Sequence, residues 1–94
     1  MNQKGSSPIS SITSEQFRAA RALLGWSQTQ LAEWAGMSLP TVKRVENNRG
    51  PRVSDEARNA LKRALEKGGV EFIDENGGGP GVRLGKRLRP KRLK

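Results

Sequence analysis

The fold turns on the stretch LAEWAGMSLPTVKRV at positions 31–45. Gly36 accepts the positive φ that a tight turn demands, and Ser38 offers a hydroxyl to cap a following helix. Pro40 is tolerated in that helix's first turn, where its missing N–H would have had no intrahelical partner. Two short helices are therefore predicted, one from Gln28 to about Ala35 and one from the Ser38 cap to near Asn47. Ala32 is small where the two cross, while Leu31, Ala35, Met37, Val42 and Val45 supply the buried side. With Val42 and Val45 inward, Lys43 and Arg44 turn outward, a face that a helix made only to fill a core does not need.

Working outward, Ser27 with Gln30, and Thr13 with Gln16, have capping-box spacing. Trp26, just before the second cap, is placed to fold onto Leu31 as a hydrophobic staple. Phe17, Ala20 and Leu24 repeat at helical spacing before Gly25, which defines a first helix. Ser54 caps a fourth, with Asp55 and Glu56 at its positive end, Lys62, Arg63 and Lys67 toward its negative end, and Ala57, Leu61, Ala64 and Leu65 as its apolar stripe. Gly68 and Gly69 stop it. VEFI then reads as a strand, DENGGGPG as a turn and VRL as a return strand, a hairpin that needs a surface to lie on. The division expected is a disordered lead-in at 1–12, a helical domain at 13–67, a hairpin at 68–84 and a basic tail at 85–94.

Composition narrows the function classes. The 94 residues carry a net charge of +9, yet the last twelve, RLGKRLRPKRLK, hold seven of the eighteen Lys and Arg and no acid, which leaves residues 1–82 near +2. Without cysteine or histidine the chain has no disulfide, no thiolate metal site and no imidazole base, so no catalytic set, metal site or cofactor is expected. The first twelve residues hold no apolar run and no stretch approaches a membrane span, so a cytoplasmic protein is expected, nucleoid-associated if it binds DNA.

Two short helices around a three-residue turn with this apolar spacing define a helix-turn-helix. The run RAARALLGWSQTQLAEWAGMSLPTVKRVENNRG, with SQxxLAxxxGxS, the valines and RVEN at fixed spacing, resembles the Cro and phage-repressor class of regulators, the XRE family. The terminal GVEFIDENGGGPGVRL is similar to the tail of short stand-alone bacterial members. The resemblance covers residues 13–67 and implies an all-α, lambda-repressor-like four-helix domain with a small C-terminal β-hairpin. It also implies a transcriptional regulator, a repressor, that reads double-stranded operator DNA through helix 38–47 as a homodimer.

Carried over residue by residue, the resemblance makes Leu39, Pro40, Thr41 and Arg44 base readers. Arg44 is the strongest, because a guanidinium can meet both acceptors of a guanine. Leu39 and Pro40 lack donors, which favours a thymine methyl. Gln28, Ser38, Lys43, Asn47, Asn48, Arg49 and Arg52 would meet phosphates, and Arg21 with Glu46 would form a buried ion pair that holds the reading helix at its angle.

Duller readings weigh against several of these signals. Lys43 and Arg44 would be a solvated face in an arbitrary helix; in this spacing they are read as functional. Trp34 is expected to pack beneath the fourth helix or the hairpin in preference to forming an exposed dimer contact. GGGPG fails as a phosphate loop, because Pro80 stands where glycine is needed and Arg87 follows Lys86 where Ser or Thr is needed. Glu71, Asp74 and Glu75 read as solvated acids. The tail is either a solubility device or an arm tracking phosphates, and the dimer contact lies either on the hairpin, through strand edges or Val70, Phe72 and Ile73, or on the fourth helix. The rival function is a protein-interaction module, antitoxin-like or anti-activator, that uses the helices as scaffold; no small-molecule ligand is evident.

Overall fold

The computed structural model describes residues 12–48 and 52–85. Four helices run in chain order, α1 (Ser14–Leu24), α2 (Gln28–Ala35), α3 (Leu39–Asn47) and α4 (Asp55–Lys67), followed by β1 (Val70–Ile73) and β2 (Gly81–Leu84). Each helix starts where its hydroxyl predicts. Thr13, Ser27, Ser38 and Ser54 accept the backbone N–H three residues on, at 3.0–3.2 Å, and the first two complete their capping boxes through Gln16 and Gln30. Gly25 and Gly36 close α1 and α2 in the left-handed conformation, at φ 70° and 68°.

The apolar stripes meet in one core containing Phe17, Ala20, Leu31, Val42, Val45, Leu61 and Leu65. β1 and β2 pair antiparallel, Val70 opposite Leu84 and Phe72 opposite Val82. This hairpin is not a separate unit. Val70 is buried, and the Phe72 ring meets Phe17 edge-on at 5.9 Å. Those two side chains, one of the candidate dimer contacts, serve the chain's own core.

Gln16 latches the hairpin to α1. Its Oε1 accepts the Thr13 N–H at 2.9 Å, while its Nε2 donates to the carbonyls of Ile73 (3.2 Å) and Gly81 (3.0 Å), one on each strand. One buried amide thus serves helix cap and sheet, which answers the marginal stability of two strands. At the far end the Glu75 carboxylate accepts the N–H groups of Gly77 and Gly79, which folds the turn on itself.

Two residues at the expected edges and one aromatic side chain differ from the sequence reading. Ile12, assigned to the lead-in, is buried, and its carbonyl accepts a bond from Arg58 at 2.6 Å; residues 1–11 lie outside the described residues. Gly85, assigned to the tail, is buried and donates its N–H to Gly69 at 2.6 Å, while 86–94 are not described. Trp34 does not pack beneath α4 or the hairpin: it is 68% exposed and stacks on Trp26 at 5.8 Å, because position 34 falls on the outer face of α2. Trp26 in turn lies against Gly68, where a Cβ would stand 2.9 Å from the indole and 2.7 Å from Leu24. Gly68 has ordinary right-handed geometry, so here glycine is a packing requirement.

Replacing Gln16 by Glu keeps the capping acceptor but removes both donations to the hairpin. Thermal unfolding should show a loss of about 2 kcal/mol or more, with amide protection across 70–84 falling most. An unchanged midpoint would mean that apolar contact alone docks the hairpin.

Candidate nucleic-acid interface

α2 and α3 are joined through Gly36, Met37 and Ser38, and the Met37 N–H donates to the Ala32 carbonyl at 2.9 Å. Val42 and Val45 are buried, which fixes the rotation of α3. Pro40, Lys43 and Asn47, spaced three and four apart, are exposed along its outer face, with Leu39, Thr41 and Arg44 half-buried beside them. The Thr41 hydroxyl lies 2.9 Å from that of Ser38. Arg44 is less free than the spacing predicts, since its Nε is enclosed without a hydrogen-bond partner among the described residues.

The acid of α3 is Glu46, 1% exposed. Arg21 grips it with two bonds, Nε to Oε2 at 2.7 Å and Nη2 to Oε1 at 2.9 Å, and the Gln28 side chain donates to Oε1 at 3.0 Å. A further Arg21 nitrogen donates to the Trp26 carbonyl at 3.0 Å, ahead of the α2 cap. The hydrogen bonds to Glu46 raise the Arg21 pKa above its ordinary value, burial opposes that and the carboxylate charge adds to it. The stability this contributes is therefore complete below the ordinary arginine value and constant across neutral pH. With Glu46 saturated, the outer face of α3 shows cations and no free carboxylate.

Two further side chains fasten the same helix end, and sequence reasoning missed both. Ser14 donates its hydroxyl to the Val45 carbonyl at 2.7 Å, and Arg18 donates to the Glu46 carbonyl. Asn48, at φ 55°, returns its N–H to the Arg44 carbonyl at 2.8 Å. Three of the carbonyls that a helix end leaves open are thus satisfied. Ser14, Arg18 and Arg21 recur at i, i+4 and i+7 beside the apolar stripe of α1, a polar line that only its partner helix explains.

Of the residues named from sequence, α3 brings Leu39, Pro40, Thr41, Lys43, Arg44 and Asn47 onto one side, with Asn48 at its end and Ser38 at its start. Gln28 has its amide committed to Glu46. The Ser27–Gln30 box, however, leaves the backbone N–H groups of Gln28 and Thr29 open at the positive end of α2. Arg52 is exposed and paired with Asp55 at 3.2 Å; Arg49 lies outside the described residues.

The chain belongs to the helix-turn-helix domain family. The family's model matches residues 14–72, from the first residue of α1 through Phe72 of β1. A comparison with curated proteins found no match. A helix-turn-helix domain marks the protein as DNA-binding, with DNA as its partner. No helix among the described residues is long and apolar enough to cross a membrane.

Glu46→Gln should cost about 3 kcal/mol in denaturant unfolding, because it leaves the Arg21 charge partly buried without its counterion. DNA affinity should fall further than the folded fraction accounts for, since α3 is held by fewer bonds. Unchanged unfolding and affinity would reduce the pair to ornament.

Proposed function

We propose that the chain is a Cro/phage-repressor-like regulator of the XRE family that represses transcription by binding an operator in the cytoplasm. The observation that carries this reading is the exposed, acid-free face of α3, fastened from behind by Arg21, Gln28, Ser14 and Arg18. A helix held in this way can enter a major groove without reorganising. Arg44 reads a guanine, because the outer edge of a guanidinium can donate to both of its major-groove acceptors. Leu39 and Pro40 give apolar contact to a thymine methyl, and Thr41 supports them.

Around that centre, backbone phosphates meet Ser38, Lys43, Asn47, Asn48, Arg49 and Arg52, while Gln28 acts through the open backbone at the start of α2. One such helix reads few base pairs, so the active form is a homodimer on half-sites about 34 Å apart. The exposed Leu23, Trp34 and Leu84, together with the strand edges, are surfaces a second copy would cover. Chemistry on a substrate is not part of this reading.

The exposed Trp34 favours one alternative, a protein-interaction module with the helix-turn-helix as scaffold. Selection of bound sequences from random duplex DNA at two salt concentrations separates the two. A palindromic consensus supports the operator reading and the dimer together. Protein capture without salt-sensitive DNA binding supports the alternative.

On the selected duplex, Arg44→Ala should relax preference at one base pair by about 1–3 kcal/mol. Lys43→Ala should weaken all sequences alike and lower the salt slope by about 1. Removing residues 86–94 should flatten that slope further while leaving the consensus intact, and an unchanged slope would take the tail out of the mechanism.

A further inference from the structure

Where the start of α1, the end of α3 and the first turns of α4 meet, the surface is indented by a polar cleft of about 370 Å³. Its lining includes Arg18 of α1, Arg52 just ahead of α4 and Arg58 in the first turns of α4, together with Asn47 and Asn48. One acid, the exposed Glu15, lines the cleft itself, 3.9 Å from Arg18, and a second, the exposed Asp55, stands beside it, 3.2 Å from Arg52. Pairs so exposed are screened and weak, and they leave the cleft cationic. Thr13 and Ser14 add the positive end of α1.

Arg58 is the least satisfied member. It donates to the Ile12 carbonyl and lies 5.3 Å over the Phe17 ring, which fixes the side chain against the core. Its Nε is buried without a hydrogen-bond partner among the described residues. Burial is the largest influence lowering its pKa; the like charge of Arg52 adds to this and Asp55 offsets part of it. An anion placed among the three guanidinium groups would relieve the repulsion between Arg52 and Arg58.

We infer that this cleft binds a phosphate group, held by Arg18, Arg52 and Arg58 with the amides of Asn47 and Asn48 as neutral donors. A tetrahedral oxyanion matches the cluster because planar guanidinium groups can each give it paired N–H donors. The phosphate belongs either to the operator backbone passing the end of α3, where Arg18 and Arg58 would extend the contacts of Asn47, Asn48 and Arg52, or to a free phosphorylated small molecule. The first source rests on the DNA reading; the second does not.

The test is titration of the isotopically labelled full chain with inorganic phosphate, against sodium chloride of equal ionic strength. The side-chain signals of Asn47, Asn48 and Arg58 are followed by NMR. A saturating response to phosphate, absent with chloride, is expected. Apparent affinity should fall about tenfold in Arg58→Lys, which loses paired donors while keeping the charge. Because Arg58 also ties down Ile12 and Phe17, the exposed Arg52→Gln serves as the second variant and should weaken the response in the same direction.

A selected duplex added next distinguishes the sources. Displacement of phosphate, or movement of these signals by the duplex alone, assigns a backbone phosphate. Simultaneous binding assigns a free ligand. Equal responses to phosphate and chloride, with the signals unmoved by a duplex that still binds, would overturn the site and leave the DNA reading standing. Saturation by phosphate in a chain that binds no duplex would keep the site and remove the DNA reading.

Discussion

Everything that makes α3 usable depends on one buried carboxylate. Glu46 is taken out of water almost completely, and its two oxygens accept three bonds, two from Arg21 on α1 and one from Gln28 on α2. A carboxylate in that position without partners would be costly, so the three helices cannot shift relative to one another without exposing a charge. Hydrophobic contact through Val42 and Val45 fixes which side of α3 faces inward but tolerates sliding. The directional bonds to Glu46, with Ser14 and Arg18 on the neighbouring carbonyls, set its axial position and tilt. The ion pair is better understood as a device of geometry than of net stability, since desolvation offsets much of its attraction.

That division explains what sequence made legible. Caps and stops are local: a hydroxyl bonds an N–H three residues away, and glycine takes a φ that other residues resist. Thr13, Ser27, Ser38 and Ser54 could therefore be read one at a time, and all four helices follow. The strands of the hairpin were readable for the same reason. Its attachment was not, because Gln16 looks like a capping residue and nothing local shows that its other amide atom reaches Ile73 and Gly81, more than fifty residues on. Gly68 likewise reads as a helix stop, whereas its lack of a Cβ admits Leu24 and Trp26.

The candidate site divides along the same line. Positions on the exposed face of α3 follow from the period of the helix once its valines are inward. The state of each side chain does not. Gln28 faces Glu46, Thr41 leans on Ser38, and Arg44 lies partly buried, all outcomes of contacts between helices. Trp34 shows the opposite failure: a large aromatic residue is ordinarily covered, but the outer face of α2 offers it only Trp26, and the stack leaves most of its surface in water.

The arrangement of charge links these details to the way the molecule can meet an anion. Net charge near +2 over residues 1–82 is too small to act as a general field, so the effect of the cations must come from position. Three of the acids are neutralised by identifiable bonds. Glu46 is buried against Arg21, Glu66 pairs with Lys62 along α4, and Glu71 pairs with Arg83 across the hairpin. What remains at the end of α3 is a set of guanidinium groups whose nearby carboxylates are solvated and weakly held. Burial strengthens an interaction only for charges removed from water, and among the described residues the half-buried Arg44 and Arg58 are the two with an enclosed, unbonded Nε. Their neighbourhood is therefore where the charges are least screened, and where an incoming phosphate or base edge gains most from the guanidinium donors that still face water.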